Sequence, residues 1–348
     1  SRQGHRSAQP GGRRPVTTDP PGATLHLPGP VAFVMGGGAS LGAAQVGMLQ
    51  ALSEHSISPD LIVGTSVGAL NGAFLASDPT GGATRLSHIW PTITKQQIFP
   101  GSPWQSLRTL RIDKTHLYSN DGLAQFIDEH LPVDNLEDLV VPFTAMATDV
   151  DSGAAVELTT GPAKSALLAS AALPGLLPAI ERDGRLLYDG GLVAKLPIGQ
   201  ALRMGAKSLV LLDCTFPGQP APRPTNLLQI MEWSVSLTQN SQARAALPFI
   251  PADVAVLYLP GPPRARFSSL ELDHTTELIS GAYSASRGYL RTVQDKPNLL
   301  HQHRVPTRPD GSDSGVGSDS EVGSSAVPEE GVVPDGGAVA AERIRSDD

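Results

Sequence analysis

The chain has 348 residues, a formal net charge of -8, and 36 Gly with 31 Pro, a glycine and proline share that points to unstructured segments beside the fold. Residues 1–28 carry +3 and residues 304–348 carry -6, leaving -5 on residues 29–303, so no basic face favours nucleic acid as a partner. The single cysteine, Cys214, excludes an internal disulfide and a cysteine-built zinc site.

No stretch approaches the ~18 consecutive apolar residues of a spanning helix, and the first residues lack the apolar core of a signal peptide. A cytoplasmic protein, with peripheral membrane association as its second option, is the expectation. Neither end can bury enough apolar surface to offset the entropy of ordering. Residues 1–28 and 304–348 are therefore expected to be disordered, around one domain at 29–303.

Within that domain short apolar runs alternate with helical patterns, which implies an α/β fold of layered helices and a mostly parallel central sheet. VAFVM (Val31 to Met35) reads as a buried strand, followed by a helix from Gly42 to His55. DLIV (Asp60 to Val63) is a second strand, and Val67 to Ala76 a helix of small and apolar residues. Asn120 or Asp121 can cap a helix with Leu123, Phe126, Ile127 and Leu131 on one face. Strands at Val141 to Ala147 and Ala154 to Thr159 precede a helix over Ala163 to Leu173. The segment LLPAIERDGRLLYDGG then reads as a hairpin turning at Asp183-Gly184. KSLVLLD and VAVLYL are later strands, separated by a helix from Leu227 to Ala246, and a last helix covers Leu272 to Thr292. Trp233 falls in the long helix with Leu228, Met231 and Leu237, where core packing is the expectation.

Three elements carry chemistry. The first strand ends in Gly36-Gly37-Gly38 and a helix opens near Gly42, so backbone N–H groups can converge on a phosphate or an oxyanion at a helix N-terminus. The second strand ends in Gly64-Thr65-Ser66-Val67-Gly68, a G-x-S-x-G between strand and helix, as a nucleophile elbow requires. Asp189-Gly190-Gly191 closes the hairpin strand; alone it reads as an Asx turn, but an Asp before two glycines can also meet a serine hydroxyl directly.

Taken in order, GGGASLG (Gly36 to Gly42), GTSVG (Gly64 to Gly68), ASAALPGLLPAI (Ala169 to Ile180) and DGG (Asp189 to Gly191) resemble the bacterial-type patatin-like phospholipases. The resemblance covers roughly residues 31–260. It implies a three-layer α/β/α sandwich and a serine carboxylic-ester hydrolase acting on lipid through a Ser–Asp dyad. By it, Ser66 is the nucleophile, Asp189 the base, and Gly36, Gly37 and Gly38 the oxyanion hole. Gly42, Gly64, Gly68, Gly190 and Gly191 are then the supporting glycines, with no metal or cofactor. Leu41 departs from the pattern, because the family usually has Arg or Lys there.

Two other readings stay open on the sequence: a Ser–Asp–His α/β-hydrolase triad using Ser66, Asp189 and His274, and a catalytically weak lipid-binding relative, which Leu41 favours. The aromatic and basic stretch 89–118, with Trp90, Phe99, Trp104 and Tyr118 among Lys95, Arg108, Arg111 and Lys114, reads equally as a membrane-contact segment or as a cap on the core.

Overall fold

The computed structural model describes residues 25–100, 115–214, 223–225, 227–261 and 271–301. Eight strands among them form one sheet: β1 (Val31–Met35), β2 (Leu61–Thr65), β3 (Phe143–Asp149), β4 (Ala155–Leu158), β5 (Ile180–Arg182), β6 (Arg185–Asp189), β7 (Ser208–Leu212) and β8 (Ala255–Tyr258). The order is β5-β6-β3-β2-β1-β7-β8, with β4 also on β3. The run β3-β2-β1-β7-β8 is parallel, and β4, β5 and β6 join antiparallel. The helices are α1 (Ala43–Glu54), α2 (Val67–Ser77), α3 (Gly82–Ile89), α4 (Lys95–Ile98), α5 (Asp121–His130), α6 (Ala163–Ser170), α7 (Gly191–Ala194), α8 (Ile198–Arg203), α9 (Leu227–Ala246) and α10 (Thr275–Asp295).

The parallel strands are buried on both faces, which is why they read as continuous apolar runs rather than alternating ones. Alternation reappears in what each face packs against. Phe33, Met35, Ile62, Val210 and Leu212 join one core with residues of α1, α2, α3 and α10. Ala32, Val34, Val63, Leu209 and Leu211 join a second core with Ile198, Ala201, Ala243 and Leu247 from the α8 and α9 side. The result is a sheet flanked by helices on both sides. On the first side α1 and α10 cross closely at Gly47, where a Cβ would lie 2.1 Å from the Ile279 carbonyl oxygen.

Strand β3 positions the site by changing partner along one edge. It pairs with β2 from Phe143 to Met146 and with β6 from Ala147 to Asp149, while β4 covers Ala145 to Thr148. A strand has two edges; since β4 overlaps both of the others, β2 and β6 share the remaining one. They run in opposite senses and meet end to end, Thr65 opposite Met146 and Asp189 opposite Ala147. The C-termini of the two strands that carry Ser66 and Asp189 are thus brought together by consecutive residues of a third.

Two expectations change, and a third lies outside the described residues. Leu25 and Leu27 are buried, and the Pro28 carbonyl accepts a hydrogen bond from Ser208 Oγ at 2.6 Å, so ordered packing begins before residue 29. Residues 1–24 and 302–348, which hold most of the expected disordered ends, lie outside the described residues. Trp233 and Leu237 are not core residues but 41% and 51% exposed.

The reason is the length of α9. Its Asn240 accepts a hydrogen bond from Lys195 Nζ, which also pairs with Asp213 just past the end of β7. Asn240 is therefore level with the C-terminal edge of the sheet, and the 13 residues before it extend up to about 20 Å beyond that level at 1.5 Å per residue. Ala243 and Leu247 are buried, whereas Ile230, Trp233, Val235 and Leu237 are exposed. Among the described residues, no helix is long and apolar enough to cross a membrane.

Candidate active site

Ser66 links β2 to α2 in a backbone conformation of φ 56 and ψ -125, a region that non-glycine residues enter only when their surroundings over-determine it. Those surroundings are tight. A Cβ on Gly64 would lie 2.5 Å from the Gly68 carbonyl oxygen, and one on Gly68 would lie 2.2 Å from that of Met35. Gly42 leaves room for Val67, whose Cγ2 would be 2.3 Å from a Cβ there. The Ser66 N–H donates to Ser170 Oγ at 2.9 Å, and its carbonyl accepts from Ala69 and Leu70 in the first turn of α2. Ser66 itself is 6% exposed.

Asp189 ends β6 and is 1% exposed. Its N–H donates to the Ala172 carbonyl at 2.9 Å, and its Oδ1 accepts the Gly191 N–H at 2.7 Å. Gly190 fits against Met146, whose carbonyl oxygen a Cβ would approach to 2.3 Å; a Cβ on Gly191 would lie 2.9 Å from both Asp189 Oδ1 and Gln239 Nε2. Asp189 Oδ2 is buried and closes no full hydrogen bond among the described residues. The Ser66 hydroxyl lies near enough to act on the carboxyl all the same. Burial raises the Asp189 pKa to about 6, against the opposing pull of the Ser66 hydroxyl and the Gly191 N–H. A carboxyl that is desolvated and half-satisfied is a stronger base than one in water.

The glycine turn packs directly on the serine: a Cβ on Gly37 would be 3.4 Å from Ser66 Cβ. Its N–H groups are unequal. Gly36 N donates to Leu212 O and Gly37 N to Lys195 O, each at 3.0 Å, so both fix the turn. No acceptor among the described residues meets the N–H of Gly38 or of Ala39, the latter held at φ 48. Gly38 packs on Cys214, whose Cβ would be 2.5 Å from a Cβ there. The Cys214 thiol reaches Gly36 O at 3.2 Å, and burial pushes its pKa up, so it stays neutral.

Behind the turn lies a buried polar chain that sequence reasoning missed. Gln45 Nε2 donates to Gly36 O and Leu212 O, Asn71 Nδ2 to Gln45 Oε1 and Gly42 O, and Trp90 Nε1 to Asn71 Oδ1. Trp90 is thereby a core residue, not a membrane anchor. Phe99 and Tyr118 pack on each other at 5.2 Å, and Phe99 lines a cavity instead of facing outward. Trp104, with the basic residues 108, 111 and 114, lies outside the described residues.

That cavity opens beside Ser66 and has a volume of about 770 Å³, including the space open to solvent. Ser66, Val67, Leu70, Phe74, Phe126 and Leu177 are among its walls. His274 is elsewhere engaged: its ring nitrogens lie 3.9 Å from Glu271 and from Glu277. Among the described residues the Asp189 carboxyl is met by Gly191 and Ser66 and by no imidazole, which counts against the Ser–Asp–His reading.

The order of the motifs and this geometry agree with what sequence comparison finds: the model of the family described as patatin-like phospholipase matches residues 33–202. These residues belong to the patatin-like phospholipase family. The patatin-like region is 35% identical over 187 residues to mouse patatin-like phospholipase domain-containing protein 7, covering 53% of this chain and 13% of that protein. It is also 32% identical over 215 residues to an uncharacterized NTE family protein of Mycobacterium bovis, covering 61% of this chain and 57% of the relative. The chain thus spans about an eighth of the first and just over half of the second. Among solved structures it is similar to VipD from Legionella pneumophila, with a TM-score of 0.42 and 12% identity over 78% of this chain and 68% of that one.

Proposed function

We propose that this protein hydrolyses carboxylic esters of lipids through a Ser66–Asp189 dyad and an acyl-enzyme intermediate. The observation that carries the proposal is the head-on meeting of the two strand ends on β3, which sets a strained serine beside a buried carboxyl whose pKa is raised to about 6. Ser66 Oγ attacks the ester carbonyl as its proton passes to Asp189; the carbonyl oxygen becomes the oxyanion. The uncommitted N–H groups of Gly38 and Ala39 support an oxyanion hole at the mouth of the turn, with Gly36 and Gly37 anchoring it. Losing one such donor typically costs ~10²–10³ in rate. The alcohol then leaves with the proton, and water activated by Asp189 releases the acid.

The apolar cavity beside Ser66 supports an acyl chain as the group held during attack. Contact with a lipid surface is part of the proposal, supported by the exposed Ile230, Trp233, Val235 and Leu237 on the part of α9 that passes the site edge. The buried Leu41 leaves no cation at that position of the turn, which favours substrates whose binding depends on the acyl chain more than on an anionic head group. Fluorophosphonate labelling with a soluble ester assay tests the dyad. Wild type labels at Ser66, Ser66→Ala and Asp189→Asn lose roughly 10³-fold or more in kcat/KM, and His274→Ala stays within twofold. Turnover that survives Ser66→Ala sinks the proposal.

A further inference from the structure

A charged pair lies buried under the glycine turn, in a place the dyad chemistry does not use. Lys195 Nζ and Asp213 Oδ1 are 3.0 Å apart and both side chains are 3% exposed. Asp213 Oδ2 accepts the Tyr258 hydroxyl at 2.9 Å, and Lys195 Nζ also donates to Asn240 Oδ1 on α9. Burying two charges costs several kcal/mol per ion before their attraction offsets it, and apolar residues of similar volume often serve stability as well or better. Stability alone therefore does not account for the pair.

Its backbone neighbours indicate what it does. The Lys195 carbonyl receives the Gly37 N–H, and the carbonyl of Leu212, one residue before Asp213, receives the Gly36 N–H. On the other side of Asp213, Cys214 packs on Gly38 and its thiol reaches Gly36 O. Ala194, preceding Lys195, accepts a hydrogen bond from Thr65 Oγ1 at 2.7 Å, so the same strip of chain also touches the serine elbow. The turn is slung between two backbone segments, one from the chain after Asp189 and one from the end of β7, and the ion pair joins those segments.

We infer that Lys195 and Asp213 are positioning residues: their ion pair clamps the two segments that fix Gly36 and Gly37, and so sets the free Gly38 and Ala39 donors against Ser66. The inference rests on the hydrolase reading for its catalytic consequence. Its structural half, the clamp itself, does not.

The test removes both charges together, so that neither is left stranded, in Lys195→Met/Asp213→Leu/Tyr258→Phe. Amide exchange at Gly36 and Gly37, compared with wild type, reads the clamp directly, because exchange follows local opening. The expected result is exchange at least tenfold faster with a melting temperature near that of wild type, and kcat on a soluble ester at least tenfold lower with KM within twofold. Unchanged exchange or unchanged kcat overturns the inference. Should the triple variant not fold, Tyr258→Phe alone loosens Asp213; it should raise exchange at both glycines and lower kcat severalfold, and wild-type values for both overturn the inference. If wild-type protein neither labels nor hydrolyses, the hydrolase reading falls, whereas the exchange comparison still decides the clamp.

Discussion

Thr65 stands opposite Met146 and Asp189 opposite Ala147, so the carboxyl residue pairs with one residue of β3 and the nucleophile directly follows the partner of the residue before it. Their separation is set by the repeat of β3 and not by a flexible loop. A site built this way is rigid before substrate arrives, and it is in such sites that a buried group keeps a shifted pKa.

The Asp189 pKa, raised to about 6 from 3.8, gives two pH effects of opposite sign. Activity needs the carboxylate, so kcat/KM should fall about tenfold per pH unit below about 6. Stability goes the other way. The raised group is neutral in both states below its unfolded pKa, and stability is lost as pH rises through 6, by on the order of 3 kcal/mol at pH 8. Asp189→Asn should melt higher than wild type at pH 8, with the gap closing toward pH 4; thermal scans across that range check it, and a constant gap contradicts the assignment.

Ser170 joins the two halves of the site, its Oγ accepting the Ser66 N–H and its carbonyl the Gly190 N–H. Ser170→Ala leaves the buried Ser66 N–H without an acceptor, at a cost of about 1–3 kcal/mol. The variant should unfold at lower denaturant and label with fluorophosphonate more slowly. Wild-type labelling would show that the elbow holds its shape without this bond.

Leu70 is a half-buried wall residue of the cavity beside Ser66. Leu70→Trp should fill part of that space, cutting turnover of long-chain esters by tenfold or more and leaving short-chain esters within a few fold. Equal losses on both would place the acyl chain elsewhere.

Trp233 and Leu237 are exposed on α9 beyond the level of Asn240. Trp233→Ser/Leu237→Ser should weaken sedimentation with phosphatidylcholine vesicles and turnover of aggregated lipid, yet leave soluble-ester hydrolysis unchanged. Undiminished vesicle binding would remove this helix from the lipid contact.

The strand-turn-helix units at β1–α1 and β2–α2 were legible because a sheet buried on both faces writes itself as apolar runs punctuated by glycine. Ser66 and Asp189 were legible as types in context. Their meeting was not, because the splint between them, Met146 and Ala147, looks like any other buried strand. The Lys195–Asp213 pair was equally hidden, each partner an ordinary charge at the end of an apolar run. Trp233 was misread for a different reason: periodicity shows that a face is apolar, not that anything covers it. The helices α3 and α4 were not read from the sequence; Pro91 and Pro100 each fall two residues beyond one of them, where a proline follows a helix without disturbing it.

The two strand ends that meet on β3 come from distant parts of the chain, so the parts of the site are synthesised far apart in time. When the chain has emerged as far as Leu158, the serine, its elbow and the sequence of the glycine turn are all present. The carboxyl is not, and neither are the carbonyls of Lys195 and Leu212 that anchor Gly36 and Gly37. Every element needed for ester chemistry except the nucleophile is thus completed by residues 189 to 212. A chain that stops before Asp189 therefore has the serine but neither the carboxyl nor the carbonyls that hold Gly36 and Gly37, so the proposed hydrolysis needs the β5–β6 hairpin and β7 both in place.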